Sequence, residues 1–445
     1  MTIKTPFSTT TMSSPTEPKR ILIVGAGVSG SIVAYFLAKQ HHQITVIERS
    51  KAEQHLGQGI EIESPATSVV QAMGIMSKLQ SVKTGELGFS LVDEKSHSYA
   101  KFEAGGAGPT GALELMRGDL TEVLYKAADE ANNVTYRFET TIQALRQSST
   151  GPVTVDLTNR STGFHTTETF DLVIAADGAR SKTRSLLMGS PEEINCFKPV
   201  GAHVAYFSVP REKQDWPYSR MCNFSGRRII WMRPTRDDSD VVSAYLMYIK
   251  DDKNADDAIG RANASGDRRA QKEEVAKAFR GCGWEGPRVV KAMMEAQNFY
   301  SDTLMQVKLP TWSQDNVVLL GDAAWAPTPF TGQGNHLAIL GAFILAQELS
   351  RDPTAAAFQK YEKRFRSYVE NAQAIPLSGY APKLLVPRTK MGIWTWRHVL
   401  QTVSRVVRFV DWSGIGKMFP EGEGGHAPID LQMEGVEGMD EKAKG

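Results

Sequence analysis

Cysteine is nearly absent: three residues in 445, Cys196, Cys222 and Cys282, lie far apart with no Cys-x-x-Cys pair. That spacing argues against a disulfide framework and against thiolate metal sites, so no metal is expected and a reducing, cytoplasmic setting fits. An excess of one charge is missing too. Lys and Arg total 51 against 50 acidic residues, a formal net charge of +1, which speaks against nucleic acid as a partner. No window approaches the roughly 18 consecutive apolar residues of a membrane-spanning helix. The first residues lack the apolar core of a secretory signal; residues 5–19 are rich in Ser, Thr and Pro, and 1–18 read as a disordered tail. What remains is a globular composition, 41% hydrophobic and 23% charged, in a chain long enough for two or three domains of roughly 150 residues.

Residues 21–24, Ile-Leu-Ile-Val, form an apolar run of the kind buried on both faces of a parallel sheet. Gly25-Ala26-Gly27-Val28-Ser29-Gly30 follows directly. A helical pattern then runs through Ile32, Val33, Phe36 and Leu37, and a second strand at 43–47 ends at Glu48. These are the residue types a dinucleotide demands. Gly25 permits the tight turn, Gly27 lets backbone approach a pyrophosphate, and Gly30 lets the helix pack closely on the sheet. The pyrophosphate then meets free N–H groups and the positive end of the helix dipole. Glu48 lies 18 residues beyond Gly30, near the offset at which an acid bonds ribose hydroxyls, and Arg49 beside it is taken as a further nucleotide contact. FAD and NAD both fit this segment.

Residues 170–176 read as another apolar strand, running into Asp177-Gly178-Ala179-Arg180-Ser181. Asp177 is placed to cap a helix that carries Arg184. A third strand, 316–320, enters Gly321-Asp322-Ala323-Ala324. Pro327, Pro329, Gly332, Gly334 and Asn335 follow, and then an apolar helix at 337–349. Two prolines and two glycines ahead of a helix force a compact loop with exposed backbone N–H groups, suited to an electron-rich ring edge. Asp322 can accept a hydrogen bond from a sugar-like hydroxyl.

In this order the three segments resemble the class A FAD-dependent monooxygenases, which share the para-hydroxybenzoate hydroxylase fold. Gly25, Gly27, Gly30 and Glu48 match the dinucleotide signature, Asp177-Gly178 the Asp-Gly motif and Gly321-Asp322 the Gly-Asp motif. Arg117-Gly118-Asp119-Leu120 is similar to the family's Arg-x-x-Leu helix, whose arginine reaches the flavin. Gly57-Gln58-Gly59-Ile60 is similar to the stretch that passes the isoalloxazine. The likeness covers residues 20–375 and points to the branch of tetracycline-modifying and fungal biosynthetic enzymes. Two departures stand out. Trp325 replaces the usual His after Gly-Asp-Ala-Ala, and His336, Leu340 and Gly341 stand where Asn and then acid-Asp-Ala are common.

The resemblance implies an α/β protein: a Rossmann-like FAD-binding domain with an inserted antiparallel-sheet substrate domain and a C-terminal helix. The FAD-binding domain is assigned 19–85, 110–195 and 300–375, and the substrate domain 86–109 and 196–299. A helical region at 376–420 and a disordered tail at 421–445 complete the chain. Runs at 203–209, 228–232 and 241–249, with a contribution from 87–102, read as the substrate sheet, 251–270 as an exposed loop and 273–279 as a surface helix. Met221, Phe224, Trp231, Tyr245 and Met247 are candidates to line an apolar substrate pocket, and His203, read as a core or rim histidine rather than a catalytic base, is a further candidate contact. The stretch 378–419 interleaves Trp394, Trp396 and Trp412 with Arg397, Arg405 and Arg408. It is expected to pack across both domains, an interfacial membrane contact being the alternative.

The chemistry implied by the resemblance starts with NADPH or NADH reducing FAD. O2 then forms a C4a-hydroperoxyflavin, which oxygenates a bulky, aromatic or polycyclic small-molecule metabolite. The class A pattern gives the nicotinamide no domain of its own. A flavin dehydrogenase or oxidase, or a non-catalytic scaffold on the same fold, are the alternatives. No side chain is assigned as an acid or base, and a monomer or dimer is expected.

Overall fold

The computed structural model describes residues 17–51, 57–105, 110–147, 151–236, 238–250, 256–375, 381–413, 429 and 431. Its first element, Arg20–Val24 (β1), is apolar on both faces because it lies inside a sheet. β1 pairs in parallel with Gln43–Ile47 (β2) on one side and Leu172–Ala175 (β11) on the other. Val134–Arg137 (β7) extends one edge, and Val317–Leu319 (β18) with the short antiparallel Ser313–Gln314 (β17) the other. One face of this sheet is covered by helices Val28–Ala38 (α1), Arg117–Asp129 (α4), Gly334–Arg351 (α10) and Ala356–Ala372 (α11). The short helices Ala66–Ala72 (α2) and Met76–Ser81 (α3) fill in beside α10 and α4. The other face packs Leu22, Val24, Ile47 and Val173 against a three-stranded meander, Thr140–Arg146 (β8), Val153–Asn159 (β9) and His165–Phe170 (β10). Helix Lys182–Met188 (α5) lies against β8.

The expected 170–176 strand is in fact two. The chain leaves the meander at Phe170 and enters the parallel sheet at Leu172, and Asp171 makes the switch. Its N–H donates to the Arg20 carbonyl and its carboxylate accepts the Arg20 N–H, both at 2.8 Å.

The second sheet has seven strands. In order these are Tyr300–Val307 (β16), Phe197–Pro210 (β12), Val241–Ile249 (β15), Arg228–Arg233 (β14), Ser219–Phe224 (β13), Gly88–Val92 (β4) and Ser98–Glu103 (β5). All neighbours are antiparallel except β13 and β4. Residues 300–307, assigned from sequence to the nucleotide-binding unit, are thus an edge strand of this sheet. Helices Ala258–Ser265 (α6), Arg268–Ala278 (α7) and Gly286–Glu295 (α8) cover one of its faces. The expected loop at 251–270 is corrected here: where it is described it is largely helical. Asp257 and Asp267 cap α6 and α7 by accepting first-turn N–H groups, the usual role of Asp at such positions.

A two-stranded ladder, Gly59–Glu61 (β3) with Glu114–Met116 (β6), leads into α4. Helix Asp322–Trp325 (α9) begins the Gly-Asp segment. Beyond residue 375 the described chain forms Ala381–Leu385 (α12) and Lys390–Ser413 (α13), with α13 running along β5. Within the tail expected to be disordered, Leu431 is buried against the helical core and its carbonyl accepts from Gln347 at 2.9 Å. Apart from Ile429, the rest of that tail and residues 1–16 lie outside the described residues.

Candidate active site

The three glycine-bearing segments meet at the ends of β1, β11 and β18. Gly25 sits at φ +107°, and a side chain there would run into the Ala176 carbonyl; one at Gly30 would run into Gly25. Both contacts are backbone, so neither position tolerates a Cβ. Gly27 differs: an added Cβ would have nothing within 4 Å. The start of α1 therefore opens on free space. Glu48 spans the turn, accepting Ala26 N–H at 3.1 Å and Ser50 N–H at 2.9 Å. Arg49 is exposed and gives its carbonyl to Arg160.

Asp177 braces its own turn, accepting from Ser181 Oγ (2.5 Å), Thr183 N (3.0 Å) and Thr183 Oγ1 (2.9 Å). The cap of α5 is Ser181, not Asp177 as expected. Gly178 follows at φ +85° with open space above it. Arg184, fully buried, donates 2.8 Å hydrogen bonds to the carbonyls of Ala323 and Ala179, so one guanidinium clamps the second segment to the third. Gly321, at φ +66°, would place a Cβ 2.6 Å from Ser29 Oγ and so closes the third segment on the first.

Asp322 accepts no hydrogen bond among the described residues. Desolvation pushes its carboxyl up, opposed by the charge of Arg117. Arg117 is exposed at the start of α4, with its N–H on the Gln58 carbonyl at 3.0 Å. The loop from Pro327 to Asn335 contains Thr328 at φ +85° and Gly332 at φ +67°. Thr328 Oγ1 and Gln333 Oε1 are buried without partners among the described residues. Pro329 starts a single 3-10 turn, and Gly334 and Asn335 start α10. Gln306 and Gln373 hold this loop from beneath: their amides donate to the carbonyls of Pro327 (2.9 Å) and Trp325 (3.0 Å) respectively. Nothing local in the sequence marks those glutamines, since their partners are backbone carbonyls far along the chain.

The departures at 325 and 341 are mutually fitted. Trp325 is buried, donates to Tyr361 Oη at 3.1 Å and packs on Phe365 and Trp312. A Cβ at Gly341 would sit 2.7 Å from the Trp325 ring. His336 is buried with Nε2 3.1 Å from the Glu63 carbonyl.

The face of the second sheet opposite α6–α8 carries one continuous row. Tyr300, Tyr206, Tyr245, Trp231 and Met221 are successive cross-strand partners, so their side chains share that face. Tyr206 and Tyr245 centroids are 4.9 Å apart, and Tyr245 and Trp231 centroids 5.5 Å. Met247 belongs to the same side, and Phe330 from the Gly-Asp loop and Val386 from beyond α12 close over it. Trp231 Nε1 is buried there without a partner among the described residues. Two expected contacts are misplaced. Phe224 faces α6–α8 within the outer core. His203 also points outward, with Nδ1 3.1 Å from Thr303 Oγ1 and Nε2 2.9 Å from Asp257 Oδ1. Strand alternation decides both: Phe224 is three residues from Met221, and His203 three from Tyr206. Burial lowers the His203 pKa, only partly opposed by Asp257.

The FAD binding domain family matches residues 19–375. Monooxygenase CTB7 of Cercospora beticola is 32% identical over 90% of this chain and 94% of its own length. Flavin-dependent monooxygenase eupH of a Phoma species is 29% identical over 86% and 91%. The chain is a class A FAD-dependent monooxygenase. The fold agrees: tetracycline destructase Tet(51) superposes with a TM-score of 0.71 at 24% identity, covering 88% of this chain and 98% of that one.

In this monooxygenase the β3–β6 ladder carries a buried ionic cluster that sequence patterns did not disclose. Arg233 donates to both Glu86 oxygens (3.1 and 3.0 Å) and to Glu114 Oε1 (2.7 Å). All three residues are buried, and Thr110 donates to Glu86 as well. A Cβ on Gly59 would lie 2.9 Å from Arg233 Nη1, so glycine lets the guanidinium reach the strand. The Gly59 N–H donates to Tyr245 Oη at 2.5 Å, tying the cluster to the aromatic row. Burial, and then Glu63, push the nearby Glu61 carboxyl up to about 9, against Arg233. It holds its proton at neutral pH.

Proposed function

We propose that this enzyme binds FAD across the three-segment junction, is reduced by NADPH or NADH, and uses O2 to oxygenate a bulky aromatic or polycyclic small molecule lying on the Tyr206–Trp231 row. The observation that carries the reading is that junction: three closures bring together an open helix start, the Asp322 carboxylate, which accepts no hydrogen bond among the described residues, and the opposing charge of Arg117. FAD fits what is there. Open space over Gly27, Gly178 and Gly332, with orphaned Thr328 Oγ1 and Gln333 Oε1, matches a ligand rich in hydrogen-bonding groups.

In this reading Gly25, Gly27, Gly30 and the α1 N-terminus hold the pyrophosphate, with Glu48 and Arg49 toward the ribose end. Asp322 takes a ribityl hydroxyl. Asp177 acts by shaping the turn that presents Gly178. Gly59 and Arg117 border the flavin ring, and Pro329, Gly332, Gly334 and Asn335 present backbone to its edge. The reduced cofactor supplies the oxygen-activating chemistry; the chain supplies orientation and a dry wall.

Burial holds the Tyr206 and Tyr245 hydroxyls above their ordinary range, so they stay neutral donors rather than bases. Trp231 Nε1 offers a further donor to a substrate carbonyl or hydroxyl. The flat aromatic row suits a planar polycyclic ligand, and the likeness to Tet(51), a tetracycline destructase, supports that size class. The test is a panel of aromatic and polycyclic compounds screened by stimulated NADPH and NADH oxidation, with products analysed by mass spectrometry under labelled dioxygen. One labelled oxygen atom in a product supports the proposal. Substrate-driven flavin reduction without a nicotinamide, and no label in the product, overturns it.

A further inference from the structure

Beyond residue 375, where the family match ends, the surface changes character. Of the eleven exposed large hydrophobic side chains among the described residues, seven lie between Leu384 and Val406. Met391 is 76% exposed and Trp394 59%. The same stretch is cationic. Residues 381–413 contain Lys383, Arg388, Lys390, Arg397, Arg405 and Arg408 against Asp411 alone, a net +5 in a chain whose total is +1.

α13 is fastened along one side. Ser404 exchanges hydrogen bonds with the Lys101 backbone at 3.1 and 3.0 Å. Leu400 packs on the Phe89–Leu91 cluster, and Arg397 lies over Tyr99 with Asp93 Oδ2 at 3.5 Å. At 3.6 residues per turn, Val399, Val403 and Val406 stand about a third of a turn from that side, in an exposed ridge spaced i, i+4, i+7. A helix half docked, with a valine ridge, Trp and Met outward and cations along its polar arc, has the features of an interfacial helix. No helix among the described residues is long and apolar enough to cross a membrane. A second copy of the chain is a poor occupant, because it would set the exposed cations Lys390 and Arg405 against their own copies.

We propose that α12 and α13 seat this protein peripherally on an anionic phospholipid surface. The valine ridge, Met391 and Trp394 enter the headgroup boundary, and Lys390 and Arg405 meet lipid phosphates. The proposal does not depend on the substrate reading, and a flavin-free variant is expected to bind equally.

The test is co-sedimentation of the purified full-length chain with vesicles of equal parts phosphatidylserine and phosphatidylcholine, and with phosphatidylcholine alone. Binding to the mixed vesicles only, weakened by salt, is expected. Lys390→Ala with Arg405→Ala should lower the partition coefficient about thirtyfold, the equivalent of about 2 kcal/mol at about 1 kcal/mol per surface cation. Val403→Asp should abolish binding while leaving flavin content and thermal unfolding unchanged, which separates a surface role from a folding defect. Equal binding to both vesicle types, no binding to either, or a solution dimer that Val403→Asp dissociates would overturn the proposal.

Discussion

Arg233→Met offers the sharpest energetic test of the architecture around the site. The native guanidinium makes three hydrogen bonds to two carboxylates, and arginine and acids alike are shielded from solvent. Burial works to lower the Arg233 pKa, yet the Glu86 and Glu114 charges hold it well above the ordinary value. Removing the cation leaves two carboxylates with no compensating charge in a dry setting. Such half-broken buried pairs cost about 3–5 kcal/mol, whereas removing every charge of a buried group is often neutral. The prediction is therefore non-additive. Arg233→Met alone should lose about 3–5 kcal/mol, and adding Glu86→Gln and Glu114→Gln should recover most of it. Urea unfolding followed by tryptophan fluorescence reads this as a midpoint shift at unchanged slope. A single variant as stable as the native protein, or a triple variant no better than the single, would refute the reasoning.

Gly341→Ala should destabilise although it sits inside a helix, where Gly→Ala ordinarily gains about 1 kcal/mol. The new methyl would press on the rings of Trp325 and Phe365, overpacking that costs about 1–3 kcal/mol, and Trp325→Phe in the same chain should relieve it; thermal melts of the three variants decide. Glu61→Gln should change how stability depends on pH. A carboxyl raised to about 9 in the folded state binds a proton that the unfolded chain releases near the ordinary carboxyl range, so its contribution is complete below that range and lost as pH rises through about 9. The melting temperature of the native protein should fall with pH across that window more steeply than that of Glu61→Gln, and parallel curves would contradict the assignment.

Much of this protein is legible in its residues because its strongest signals are local. The β1 run, the glycine turn and Glu48 are contiguous enough for steric argument alone, and the Gly-Asp loop announces itself by its prolines and glycines. What was missed depends on distant partners. Arg184 reads as one cation among three after Asp177, and only its 2.8 Å bond to the Ala323 carbonyl shows it as a clamp. Gln306, Gln373 and the Arg233 cluster likewise become meaningful only once remote strands meet. Phe224 and His203 lie on the other face, and apolar or aromatic type does not say which face of a strand a residue occupies; register does. Trp325 and Gly341 look like separate anomalies along the chain and are one packing pair in space.

The central claim, that one flavin nucleotide is held where the three segments meet, is tested most directly by flavin content. Gly27→Glu would fill the open space at the α1 N-terminus with an anion, and Asp322→Ala would remove the carboxylate of the Gly-Asp segment. Purified native protein, saturated with FAD and desalted, should carry about one flavin per chain by its visible absorbance. Both variants should emerge largely colourless with an unchanged far-ultraviolet circular dichroism spectrum. Full flavin content in both would contradict the account.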